Sequence, residues 1–184
     1  MTWNNGSGNI TAAPLKVRIN DDARFTLASD TAGYNGYSIT GFVNGETAAS
    51  ALTGAVSIAR SNSPVNTAGV HSGGLINSGS TLAGSNYNIT YVSANLAISQ
   101  LPVTVNAATQ SKTYGDVNPA LTYSSVPAVG SSLANGLTIG FTGGLTRVAG
   151  ETVGVYAINQ GSLANSNYAI TYNGANLTIN KLNV

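Results

Sequence analysis

Cysteine is absent from the 184 residues, which rules out disulfides and thiolate metal sites. Charge is also scarce. Lys and Arg number seven against six Asp and Glu, and charged residues make up 7% of the chain, so there is no basic stripe to neutralise phosphates and no acidic tail. Nucleic acid and anionic membrane surfaces are therefore not expected as partners. No apolar run approaches the roughly 20 residues of a spanning helix, and Met1-Thr-Trp-Asn-Asn5 lacks the basic and apolar regions of a signal peptide. The chain reads as a soluble piece of something longer, without membrane insertion. Lys and Glu, which dominate helical surfaces, are nearly missing, whereas Gly contributes 22 residues among many Asn, Ser and Thr. That composition is β-rich with a neutral polar surface.

The chain also repeats itself. LAGSNYNITYVSANLAI at 82–98 and LANSNYAITYNGANLTI at 163–179 agree at 12 of 17 positions, with an offset of 81. The likeness runs on, since Ile98-Ser-Gln-Leu101-Pro-Val103 matches Ile179-Asn-Lys-Leu182-Asn-Val184. Near the other end Leu15-Lys-Val17-Arg-Ile19-Asn20 resembles Leu101-Pro-Val103-Thr-Val105-Asn106. The first repeat domain is thus placed at 15–100 and the second at 101–184, with 182–184 starting a further repeat. Residues 1–14 read as a leader or the end of a preceding repeat. A period this long exceeds a solenoid unit and suits a domain that folds alone and is strung in tandem. Only Ser99-Gln100 joins the two, which favours an elongated rod.

Asn173-Gly174 is a strong hairpin signal, and folding there pairs Tyr172 with Ala175, Ile170 with Leu177 and Tyr168 with Ile179. In the first repeat Val92-Ser93 takes the turn, pairing Tyr91 with Ala94, Ile89 with Leu96 and Tyr87 with Ile98. The tyrosines share a face with Ile and Leu, so they read as core rather than as a sugar-stacking platform. Other strands are expected at 15–20, 24–28, 37–43, 54–59, 101–106, 120–124, 137–141 and 153–158, with Ala-rich 45–52 forming a short helix. The expected fold is mainly β: two tandem small domains, β-grasp-like with a short helix, or alternatively an immunoglobulin-like β-sandwich. Parallel pairing of the first and last strands would suit the short joint.

Lys112-Thr-Tyr-Gly-Asp-Val-Asn-Pro119, then Ala-Leu-Thr-Tyr123 and the closing LANSNYAITYNGANLTI, resembles the MBG-type repeat of large bacterial adhesins of the filamentous haemagglutinin, two-partner-secretion class. Asp21-Asp-Ala-Arg-Phe25, Asp30-Thr-Ala-Gly-Tyr-Asn-Gly36 and Gly41-Phe-Val-Asn-Gly-Glu-Thr47 resemble the related YDG-type repeat. The second repeat departs at 126–137, where VPAVGSSLANGL replaces the Val-Asn-Gly-Glu-Thr loop. The resemblance implies structural stalk repeats of an exoprotein at the bacterial cell surface or secreted, working in adhesion or biofilm formation.

Residues with chemistry are few. His71 is the single histidine, expected in an exposed loop with no nucleophile elbow beside it. Asp21, Asp22, Asp30 and Glu46 are the one cluster of acids, and their spacing is not that of a calcium loop, so turn and cap hydrogen bonds are expected of them. A Lys16 to Asn95 isopeptide crosslink lacks a neighbouring acid and has Pro102 opposite it in the second repeat. Sequons occur at Asn5, Asn9, Asn88 and Asn176. Lys112, Tyr114 and Asp116 read as a structured turn. No catalytic, metal or cofactor residues are assigned and no enzyme activity is expected. The expected partners are neighbouring repeats in the same chain, with the chain monomeric. The competing expectation is a binding module for glycans or for host or bacterial surface proteins, using exposed Trp3, Tyr34, Tyr37 or Asn-rich loops.

Overall fold

The computed structural model describes residues 10–61, 63 and 66–183. Trp3 and the sequons at Asn5 and Asn9 lie outside them. The strands are β1 (Ala13–Ile19), β2 (Asp22–Phe25), β3 (Tyr37–Thr40), β4 (Ile58–Arg60), β5 (Gly69–Asn77), β6 (Tyr87–Val92) and β7 (Ala94–Ser99), with α1 (Ala48–Ala51) after β3. They continue as β8 (Leu101–Ala107), β9 (Gln110–Thr113), β10 (Tyr123–Val126), β11 (Thr146–Arg147), β12 (Gly154–Asn159), β13 (Tyr168–Asn173) and β14 (Ala175–Asn180). The chain forms two compact units, one of Met1–Arg24 and Asp30–Ile98, the other of Phe25–Ser29 and Ser99–Val184.

Each unit is mainly β and builds two small sheets. In the first the strand orders are β3-β1-β6 and β2-β7-β5-β4, and in the second β10-β8-β13 and β11-β12-β14-β9. Taken strand for strand, the two units share one topology. β1 pairs antiparallel with β3 and parallel with β6, and β8 does the same with β10 and β13. The sheets are therefore mixed. Period-2 alternation supplies the cores: Leu15, Val17 and Ile19 of β1 are buried, as are Val103 and Val105 of β8, while Lys16 and Arg18 face out. Leu75, Leu96 and Ile98 close the first core, and Ile158, Leu177 and Ile179 line the second.

The repeated SNY motif does not fold as a hairpin. β6 and β7 lie in different sheets, and so do β13 and β14, separated by Ser93 and Gly174 alone. A two-residue type I′ turn needs positive φ at both central residues, and neither Asn173 nor Gly174 has it. The chain instead runs on in extended form from one sheet to the other. Tyr168 pairs with Leu101 and Leu177 with Tyr156, so the expected cross-strand partners are replaced while the inward faces are kept. Tyr87 and Tyr168 are buried. Tyr91 and Tyr172 are half-buried. The first strand accordingly pairs in parallel with the penultimate strand of its unit, not the last.

Other differences have local causes. β5 was not expected, because Gly69, Gly73 and Gly74 interrupt its apolar pattern; its register shifts between His71 and Leu75, the irregularity that glycines in a strand accommodate. β9 and the two-residue β11 were also missed. No strand spans 137–141; there Ser132 bridges Thr138, and Ile139 drops into the core at 1% exposure. α1 lies within the expected 45–52, opened by a capping box between Thr47 and Ser50, and buries none of its residues. The register also aligns Pro14 with Pro102 and Lys16 with Thr104, because Asn88 faces Pro14 where its counterpart Ala169 faces Pro102. The alignment drawn from sequence is displaced by two residues, a slip that leaves every side chain on its own face.

Candidate functional site

Four of the seven cations converge on two acids, one group in each unit. In the second unit Lys112 extends from β9 and Arg147 from β11, the two edge strands of the four-stranded sheet. The Lys112 Nζ lies 2.5 Å from Oε2 of Glu151, while Arg147 Nη2 donates to Glu151 Oε1. Asn118 joins them, donating from Nδ2 to Glu151 Oε1 at 3.2 Å and accepting from Arg147 at Oδ1 at 3.1 Å. Lys112 also donates to the carbonyl of Asp116, at 3.0 Å, and Arg147 to that of Gly150, at 2.7 Å. The Arg147 guanidinium sits 5.5 Å from the centre of the Tyr156 ring. The cations are the buried members, with 5% of the Lys112 side chain and 13% of Arg147 exposed against 59% of Glu151.

The first unit repeats the arrangement. Arg24, third residue of β2 as Lys112 is of β9, reaches Asp30 Oδ1 at 3.0 Å, and Arg60 reaches it at 3.6 Å. Arg60 faces Leu75 and Leu75 faces Ala94, as Arg147 faces Ile158 and Ile158 faces Ala175, so the two arginines are equivalent. Asn66 accepts from both cations. The acid and the amide have exchanged loops. Asp30 follows β2 and Asn66 follows β4, whereas Asn118 follows β9 and Glu151 follows β11. In each unit two edge strands and two loops are thereby tied together by two cations, one carboxylate that they share and one amide.

This geometry suits a clamp rather than proton transfer. The Lys112 ammonium above all, then the Asn118 amide and the Arg147 guanidinium, holds the Glu151 carboxyl at about 2 against an ordinary 4.5. It is an ionised acceptor at neutral pH. Because the folded value is depressed, the stabilisation is complete above pH 4.5 and is lost as pH falls towards 2. We expect a carboxyl titrating near 2 by carbon NMR, absent in Glu151→Gln; a Glu151 that titrates near 4.5 would rule the clamp out.

The residues singled out in the sequence are distributed as follows. Lys112, Tyr114 and Asp116 form the expected turn: Thr113 N–H donates to Asp116 Oδ2 at 3.1 Å and Asp116 N–H to the Thr113 carbonyl at 3.0 Å. Sequence reasoning missed the partnership of Lys112 with Glu151. The acids of the first unit do not assemble: Asp21 accepts from the Asn95 N–H, Asp22 from the Ala23 N–H, Asp30 joins the clamp, and Glu46 accepts from the Tyr87 hydroxyl. That bond to Glu46 raises the Tyr87 pKa. Among the described residues no three of His, Cys, Asp and Glu stand together in metal-binding range. His71 is half-buried on β5, not in an exposed loop, with Nε2 3.0 Å from the Thr67 carbonyl. Lys16 and Asn95 occupy different sheets, Lys16 exposed on β1 and Asn95 accepting from the Gly73 N–H at its Oδ1. Asn88 and Asn176 are exposed, facing outward as expected. Tyr37 is 42% exposed, while Tyr34 packs partly buried against the first core.

Two units that show, among the described residues, seven strands each, one topology and one recurrent clamp define a tandem β repeat. The family profile for the MBG domain, YGX type, matches residues 15–97 and again 103–178, and the chain belongs to that family. No curated protein and no solved structure matches the chain.

Proposed function

We propose that these repeats are non-catalytic stalk segments of a large secreted or cell-surface bacterial adhesin of the filamentous haemagglutinin-like kind, extending and stiffening it for adhesion or biofilm formation. The supporting observation is the threading of the second unit. Leu101, where the chain comes in, faces Tyr168; Asn180, where it leaves, faces Thr113 at the far end of the same parallel pairing. Arrival and departure are separated by up to roughly 40 Å, at about 3.3 Å per residue of extended chain. A domain so threaded can be strung in line with its neighbours, as a monomer whose partners are repeats of its own chain. Small-angle scattering of this chain tests the proposal. An extended particle is expected, and a compact one would sink it.

A second reading, binding of an acidic glycan, is favoured by the outer face of β1. Lys16 and Arg18 stand there side by side, exposed, opposite Thr40, Ser38 and Thr90. The second unit has Thr104 and Asn106 at these positions, so the fold itself does not require the cations. A glycan-array signal lost in Lys16→Ala with Arg18→Ala would make binding the primary function; no signal leaves the stalk.

A further inference from the structure

We infer that the parallel pairing inside each repeat is a mechanical clamp, loaded in shear when the chain is pulled along its length. In the second unit two extended runs lie side by side. One is β8 followed, after Ala108 and Thr109, by β9; the other is β13 followed, after Gly174, by β14. Tyr168 faces Leu101 and Leu177 faces Gln110, so a single offset of 67 residues holds through both sheets. Six residue pairs in one sheet and four in the other therefore join the same two runs in the same direction.

Tension applied by the chain on either side draws Leu101 towards its amino-terminal neighbour and Asn180 towards its carboxy-terminal one. Parallel strands pulled this way slide past each other, and their hydrogen bonds are strained together. Strands pulled apart from one end lose the same bonds one at a time. Each bond is modest, so its resistance to force depends on how many must fail at once. β1 and β6 repeat the first half of the device in the other unit, pairing from Ala13 with Tyr87 to Arg18 with Val92. The Lys112 to Glu151 contact pins β9 of the clamp to the loop after β11. The purpose of the clamp rests on the stalk reading, but its existence does not.

Because the chain has no cysteine of its own, force can be applied at chosen points. Gln100, Ser166 and Lys181 are all exposed. In the full chain, Gln100→Cys with Lys181→Cys loads the second unit in its native direction, and Gln100→Cys with Ser166→Cys peels β8 from β13. Both variants keep every clamp residue. Single-molecule stretching is expected to give a several-fold higher rupture force for the first pair. Equal forces, or a lower one in the native direction, would overturn the clamp while leaving the scattering test of the stalk untouched.

Discussion

Leu177→Ala is expected to destabilise the second repeat by roughly 2 to 5 kcal/mol and leave the first unchanged. Leu177 is fully buried in the middle of β14, with Tyr156 on one side and Gln110 on the other. Truncation opens a hole that strands held on both edges cannot close. A domain of this size buries a smaller share of its unfolded surface than a larger one and has little stability to spare, on the order of 5 kcal/mol or somewhat more. At about 4 to 8 °C per kcal/mol the melting temperature of that repeat should fall by roughly 10 to 40 °C. Leu96→Ala, at the equivalent buried place in β7, should do the same to the first repeat alone. Calorimetry resolves the two transitions. If either substitution moved both by the same amount, the cores would not be independent, since distant sites otherwise add without coupling.

The duplication, the strand-rich class and the buried faces were legible in the sequence because they rest on local alternation, and Tyr87 and Tyr168 are buried as that alternation demands. Pairing was not legible. Asn173-Gly174 carries a turn signal, yet β8 offers β13 a parallel edge over six residues, and the backbone passes Gly174 without the positive φ that a turn would use. Register failed for a related reason: a slip of two residues conserves both faces, so Lys16 could be set against Pro102 instead of Thr104 without disturbing the pattern. The clamp residues escaped detection because equivalence lies in space. Asp30 and Glu151 do the same work from loops on opposite sides of their sheets, and aligning the two repeats never brings them together.

Gly143→Ala is expected to cost about 3 to 5 kcal/mol, among the largest effects a single methyl group can have. Gly143 has φ +73°, where a side chain is strained by about 1 to 2 kcal/mol, and an added Cβ would lie 2.1 Å from the carbonyl oxygen of Ser162. That oxygen belongs to the backbone, so relief requires separating the two chain segments. Thr142 and Ala164 are bridged there by two 2.9 Å hydrogen bonds, and Ser162 Oγ accepts from the Gly144 N–H at 3.2 Å. The first repeat has the same joint: Gly54, φ +84°, follows Thr53, which bridges Ala83, and its Cβ would lie 2.2 Å from the Thr81 carbonyl oxygen. Gly115 separates the two contributions. Its φ is +91°, but nothing lies within 4 Å of its added Cβ, so Gly115→Ala should lose only the backbone strain, about 1 to 2 kcal/mol. Chemical denaturation of both variants decides the matter, because equal losses would mean that the close approach of the two chain segments contributes nothing and that conformation alone selects glycine at these joints.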